Sequence, residues 1–517
     1  MSDYDVILIG AGHNGLTCAG YLARAGYRVG LFERQPLVGG AVITQDFFNG
    51  FKFDMGGSIP NMVNLAPIIE ELELAKYGYS HAFLDPMLFA PYADGSHLMF
   101  WRDIEQTCES ISAISAQDAE AYRRFARDCM PVMEVINESM NVSPSPFNLA
   151  RTLGGGFLTR VHSPLSMANM LRLSTAALVE RYFSNPKVQA AVNWTGLQSG
   201  LGIDEPFGAF ATAWYLNHHS FGATHPRGGV GMLTNAMAAM IRAYGGEIHT
   251  DCPVETILSR GNRVTGIRLG NGETVSASKV VSAAHIQTTM GLLGETVATR
   301  ARKKIDALEL GNGLGLAVRV ALNELPDYTA LPGQNGPQHI ALQWICPDMD
   351  YARRASADHR AGLMSAEPLL MATTISAADP EMAPPGKHTL NLWGQYFPYQ
   401  LADGKNWEDL REQAAEKLLA KLAEYAPNVR SAVIDKFIDT PMDLERMFGM
   451  PRANITHLPM SLPNMFMLRP ALELSQYRGP LKGLYLSGAS THPGGGITGQ
   501  PGRNAAQVIL RDFSKKQ

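Results

Sequence analysis

Apolar residues follow two rhythms along this chain. Val6-Ile7-Leu8-Ile9 is a continuous aliphatic run, the pattern of a strand covered on both faces. Leu16, Ala19, Tyr21-Leu22 and Ala25 then recur at helical spacing until Gly26 stops them. Arg28-Val29-Gly30-Leu31-Phe32-Glu33 reads as a second strand. Much later, Cys252–Ile257 and Arg263–Leu269 alternate like strands, and Asn271-Gly272 before Glu273-Thr274-Val275 predicts a hairpin. Lys279–Ala284 and Leu484-Tyr485-Leu486 read as buried strands. Helices are predicted over 235–244, over 410–425 (apolar at 410, 414, 418, 419 and 422, with Pro427 beyond) and over 504–510. The stretches 66–224 and 296–440 carry mostly helical patterns broken by Pro and Gly.

The first strand runs into Gly10-Ala11-Gly12-His13-Asn14-Gly15, a G-x-G-x-x-G opening the first helix. Each glycine has a physical purpose. Gly10 makes the tight turn, Gly12 lets backbone approach a pyrophosphate, and Gly15 allows close helix–strand packing. The helix start offers unpaired N–H groups and a partial positive charge to phosphates. Glu33 ends the second strand 18 residues after Gly15 and is placed to accept from both ribose hydroxyls. It would repel a 2′-phosphate, an argument that the neighbouring Arg34 softens. Strand, glycine loop, helix, strand and terminal acid in this order predict a dinucleotide site.

Past Glu33 comes a second glycine pair, Gly39-Gly40-Ala41, and then Gly56-Gly57-Ser58. This continuation resembles the FAD-binding superfamily of amine oxidases, protoporphyrinogen oxidases and carotenoid desaturases. Near the other end, Gly488-Ala489-Ser490-Thr491-His492-Pro493-Gly494-Gly495-Gly496-Ile497 leads towards the last helix. Consecutive glycines expose peptide planes that a flat ring can touch. That passage resembles the C-terminal flavin motif of carotenoid (phytoene) desaturases, and within them the phytoene dehydrogenase-related branch. His225-Pro226-Arg227-Gly228-Gly229-Val230-Gly231 resembles the segment by which that family returns to its FAD domain. The resemblance covers roughly residues 1–65, 225–290 and 450–517, and it is weak between them.

The resemblance implies an α/β fold: a Rossmann-like FAD-binding domain (GR2, p-hydroxybenzoate-hydroxylase-like) interleaved with a substrate domain of mixed helices and sheet. The expected FAD-binding domain is 1–65, 225–295 and 441–517; the substrate domain is 66–224 and 296–440. FAD is expected to be non-covalent, since no cysteine falls in the C-terminal loop. Its expected contacts are Gly10, Gly12, His13, Asn14, Gly15, Glu33 and Arg34, then Gly39, Gly40, Ala41, Gly56, Gly57 and Ser58. Val254 would meet the adenine through its backbone, and Ala283 would lie on the strand returning to the nucleotide. Gly488, Ala489, His492, Gly495, Gly496 and Ile497 would surround the flavin.

Composition narrows the remaining choices. At 517 residues the chain can bury a large core, and 18% charged residues with 50 glycines rule out disorder. The formal net charge of −4, without a basic stripe, argues against nucleic acid. No apolar window is long enough to span a bilayer, and the acidic start lacks the features of a secretory signal. Cys18, Cys108, Cys129, Cys252 and Cys346 never form a C-x-x-C pair, which argues against dithiol redox chemistry and structural zinc. No metal site is expected.

There is no second nucleotide fingerprint; Gly311-Asn312-Gly313-Leu314-Gly315 lacks a strand before it and reads as a loop. Electrons would therefore leave to a diffusible acceptor such as oxygen or a quinone. The leading expectation is a desaturase- or dehydrogenase-type FAD enzyme that moves hydride to flavin N5 from an apolar or amphipathic, polyene- or isoprenoid-like substrate. One rival is a flavin amine or amino-acid oxidase. Another is a non-redox isomerase or binding protein with structural FAD. No catalytic dyad is evident. His492 and Arg227 are the catalytic candidates, and Arg227 or Arg469 could bring positive charge to an anionic substrate or the reduced flavin. Met130, Met133, Met140, Met167, Met170, Met349, Met364 and Met371 suit adaptable core packing or a pocket for a long apolar ligand. A cytoplasmic location is expected, with peripheral membrane contact and homo-oligomerisation left open.

Overall fold

Strand β1 (Tyr4–Ile9), helix α1 (His13–Arg24) and strand β2 (Val29–Phe32) form a parallel βαβ unit in the computed structural model, which describes residues 2–161, 170–294, 300–402 and 404–514. Val6, Ile7 and Leu8 are wholly buried because both sheet faces are covered, which is why the run has no polar alternation. The first sheet has strand order 254–260, 263–269, 274–282, β1, β2, 247–249, with 484–486 also paired to 274–282. The strand Thr274–Ser282 serves two neighbours of opposite sense. Its start pairs antiparallel with 263–269 and its end lies parallel to β1, so the hairpin feeds directly into the parallel sheet.

The C-terminal helix spans Gln500–Ser514, starting earlier than its apolar pattern suggests. Pro501 occupies its first turn, where a missing N–H costs nothing. Gly502 lies inside the helix, because a Cβ there would run into the Asn14 carbonyl of α1. Arg503 pairs with Glu71 at 2.7 Å, fastening the helix further. The two ends of the chain are thus packed face to face.

A second seven-stranded sheet runs 433–439, 315–322, 388–395, 369–373, 342–345, 88–91, 97–100. This corrects the helical reading of 296–440, which supplies five of these strands. Gly315–Leu322 is buried at every position, so it lacks the alternation that would mark a strand. Arg319 in its middle is fully enclosed by an ion pair with Asp439 on the adjacent strand. The helix expected at 410–425 spans Trp407–Ala423 and is capped by Asn406, whose side chain accepts from the Asp409 N–H. The helix expected at 235–244 begins earlier, at Gly231.

Residues 66–224 supply a mainly helical body built on Ala116–Met140. Met133, Met140, Met170 and Met349 pack in its core, with Met130 against it, while Met364 packs beside the second sheet. Met167 and the domain boundary expected at 295/296 lie outside the described residues. Among the described residues no helix is long and apolar enough to cross a membrane.

Candidate functional site

A cavity of about 700 Å³ runs between the chain ends and the helical body. One end is built by the βαβ unit. Gly12 occupies the cap position of α1, and no side chain caps the helix. The N–H groups of its first turn therefore remain free for an anion. Gly10 turns with φ +92°. A Cβ on Gly15 would collide with the Gly10 carbonyl oxygen and lie 3.1 Å from Ala283 Cβ. Ala283 in turn abuts Gly488, so one small residue separates the N-terminal glycine turn from the C-terminal loop.

Glu33 is buried, and its two carboxylate oxygens accept from the Ala11 N–H (2.8 Å) and the Gln35 N–H (2.9 Å). The carboxylate stiffens the glycine turn and keeps lone pairs facing the cavity. Val254 and Arg34 line the same end. Asn14 Oδ1 is buried there without a partner. An uncapped helix start, a fixed carboxylate and an unmet acceptor on one elongated cavity fit an adenine dinucleotide.

Gly40 and Ala41, Gly56 and Gly57, and Ala489, Gly495, Gly496 and Ile497 form the middle of the wall. His13, His285 and His457 join them. Burial holds all three imidazoles neutral, His13 and His285 being lowered to about 4. His285 donates from Nε2 to the His457 carbonyl (3.1 Å) and accepts from the Gln287 N–H at Nδ1 (3.2 Å). Behind this wall Arg469 is wholly buried.

The far end is aromatic and sulfur-rich: Trp194, Phe210, Trp214, Met62 and Met460. Phe210 and Trp214 pack at 5.6 Å between centroids. A second cavity of about 210 Å³ opens here and shares Gly57, Ile59, Trp194, Gln198, Phe448 and Ile455 with the first. Its floor is the second sheet, through Ala317, Leu342, Met371, Asn391 and Trp393. Two charged residues also reach it, and both are satisfied. Asp54 accepts from the Thr44 hydroxyl (2.7 Å), the Val230 N–H (2.9 Å) and His225 Nε2 (3.0 Å). Arg319 is bound to Asp439 and to the Asp54 and Met55 carbonyls.

Four sequence-predicted contacts stand away from the large cavity's wall. Gly39 supports the wall from behind, donating its N–H to the Ala11 carbonyl (2.8 Å). Gly488 backs onto Ala283, and Ser58 lines the second cavity, where its hydroxyl oxygen accepts from Asn391 Nδ2 (3.0 Å). His492 points away: its Nε2 donates to the Ser139 carbonyl (3.1 Å), and burial lowers it to about 4. Its catalytic candidacy is therefore withdrawn; it ties the C-terminal loop to the helical body. Arg227 is exposed beyond the strand Ala223–Pro226, off both cavities, and is withdrawn likewise.

Sequence reasoning missed Trp194, Gln198, Phe210, Trp214, His285, His457, Phe448 and Asn391. His285 and His457 fell within stretches covered by the resemblance, but no spacing marked them. The others come from separate segments that meet only when the fold closes.

Residues 15–510 match the family model described as flavin containing amine oxidoreductase. Pyridine nucleotide-disulfide oxidoreductase domain-containing protein 2 of Rattus norvegicus is 31% identical, covering 99% of this chain and 94% of that protein. A limonene dehydrogenase subunit of Castellaniella defragrans is 26% identical over 98% of this chain and 95% of its own length. A lycopene-forming phytoene desaturase of Pseudescherichia vulneris is 24% identical, with 98% and 99% covered. Among solved structures, cyclohexylamine oxidase from Brevibacterium oxydans superposes with a TM-score of 0.58 at 16% identity, covering 99% of this chain and all of that one, a likeness of fold.

Proposed function

This chain belongs to the family of flavin containing amine oxidoreductases, and from that premise we propose that it desaturates or dehydrogenates a neutral, apolar or amphipathic alkene. It is an FAD-dependent oxidoreductase; the FAD-binding fold and the dinucleotide-shaped cavity agree. Bound FAD would supply a two-electron sink for hydride from a substrate C–H bond, the proton of the neighbouring carbon going to water or a base.

The carrying observation is the second cavity. Its walls are mostly aliphatic, aromatic and thioether groups, and the charges of Asp54 and Arg319 are already spent within the protein. An ammonium or carboxylate brought there would be desolvated with no free opposite charge to pair with, which is costly. A neutral hydrocarbon loses nothing of the kind and gains by burial. The chain's own residues then act by position. The start of α1 and Glu33 hold the dinucleotide, while Trp194, Phe210 and Trp214 keep water from the reacting end. The limonene and phytoene chemistry named for two relatives supports an isoprenoid-like alkene.

The test is anaerobic mixing of purified holoprotein with polyenes, monoterpenes and alkyl amines, read at the flavin band. Bleaching by a neutral alkene, with a new double bond in the product, is the expected result. Bleaching by amines alone, with release of aldehyde and ammonia, would replace this reading with the amine-oxidase one.

A further inference from the structure

Arg469 is completely buried, and every hydrogen bond it makes goes to a backbone carbonyl. Nε and Nη2 donate to Ala489 O at 3.2 and 2.8 Å, and Nη2 also reaches Thr456 O at 2.6 Å. Nη1 donates to Asn464 O at 3.1 Å, with Leu458 O at 3.4 Å from both terminal nitrogens. No carboxylate pairs with it among the described residues. Its neighbours His285, His457 and His492 are neutral, and its positive charge helps to keep them so. Burial lowers Arg469 itself only to about 9, so it stays charged at neutral pH.

A buried cation without an anion is costly, and carbonyl dipoles offset only part of that cost. Arg319, the other buried arginine among the described residues, is paired with Asp439. The large cavity offers an open place for the missing negative charge. Ala489 and Thr456, whose carbonyls hold the guanidinium, both line the large cavity. Gly494 lies against the guanidinium, a Cβ there falling 3.3 Å from its Cζ, and Gly495 and Gly496 beside it line the cavity. The backbone of Thr456 and Ala489 thus stands between Arg469 and the large cavity.

We propose that Arg469 is a positioning residue whose fixed positive charge, set behind the C-terminal glycine loop, stabilises the bound flavin in its reduced, anionic state. A preorganised charge aimed where charge develops needs no reorganisation during the reaction. The inference rests on the flavin and not on which substrate reduces it, so it stands or falls separately from the alkene reading.

The test compares holoprotein with R469K and R469Q. Measured are flavin content, the two-electron midpoint potential and the dissociation constant of the sulfite adduct, which leaves the ring anionic. R469Q is expected to weaken the sulfite adduct at least about tenfold and lower the potential by about 30 mV, the equivalent of tenfold for a two-electron couple. R469K breaks several carbonyl bonds but keeps the charge, and is expected to restore most of both. Equal losses in the two variants at equal flavin content would make Arg469 a loop organiser only and overturn the proposal, as would wild-type values in R469Q. If R469Q fails to retain flavin, the wild-type holoprotein decides. Its reduced flavin is expected to keep the anionic spectrum at acidic pH where free reduced FAD, titrated alongside, is protonated. Protonation at the same pH as free FAD would overturn the proposal.

Discussion

Replacing Glu33 by Gln changes one atom and exposes how the nucleotide end is built. Both carboxylate oxygens accept backbone N–H groups, from Ala11 and Gln35. A Gln amide has only one oxygen, so its NH2 must face one of these donors. The oxygen is expected to stay on Ala11, whose bond is buried, leaving Gln35, which is partly open to water. The cost to the apoprotein is therefore small, about 1 kcal/mol, the lower end for an unmet polar group. Dinucleotide binding suffers more. The ribose hydroxyls lose a charged acceptor, and hydrogen bonds to charged groups contribute about 1.5–3 kcal/mol. That predicts FAD binding weaker by roughly 10- to 150-fold. Flavin-fluorescence titration of the apoprotein reads the affinity, and thermal unfolding without FAD reads the fold. An E33Q protein that binds FAD within twofold of wild type would refute this account of the acid. So would an apoprotein destabilised as severely as its FAD affinity, since Glu33 would then serve the fold alone.

Gly15→Ala would press a methyl against the Gly10 carbonyl and Ala283; overpacking of about 1–3 kcal/mol is expected, with loss of retained FAD on gel filtration. The buried histidines predict acid sensitivity of the apoprotein. His285 and His492 lie at about 4 in the fold against about 6.5 unfolded, so the unfolded chain binds more protons between these values. Their contribution is complete above about pH 6.5 and is lost towards pH 4, at about 1.4 kcal/mol per pH unit for each. His492→Gln keeps a donor for the Ser139 carbonyl and should flatten the pH dependence of urea unfolding by one proton; an unchanged slope would count against a neutral His492. Asn391 has an unpartnered Oδ1 on the second cavity's wall, so Asn391→Leu should favour a pure hydrocarbon over its hydroxylated analogue by at least about fivefold in kcat/KM.

Much of the nucleotide end was legible in the chain. The turn from Gly10 to Gly15 and the acid at Glu33 belong to one local βαβ unit, where spacing and backbone conformation follow from adjacent residues. The three-glycine run stood out likewise, and Gly495 and Gly496 line the large cavity. The resemblance implied sheet in the substrate domain, but the strands of the second sheet were not legible in the residue pattern. Gly315–Leu322 is apolar around Arg319, and only its pairing with 388–395 and 433–439 makes it a strand, with Asp439 arriving to neutralise the arginine. His492 looked chemical because it sits in the flavin loop, yet its ring turns towards Ser139, more than three hundred positions earlier in the chain.

Sequence alone marked a glycine turn and a helix start as the place for a dinucleotide, because those requirements act over a few neighbouring residues. Tertiary structure decided which side chains face it, what shape and charge the adjoining cavity has, and where Arg469 stands. Those properties depend on segments hundreds of residues apart meeting in a dry interior, where one paired or unpaired charge outweighs any local preference.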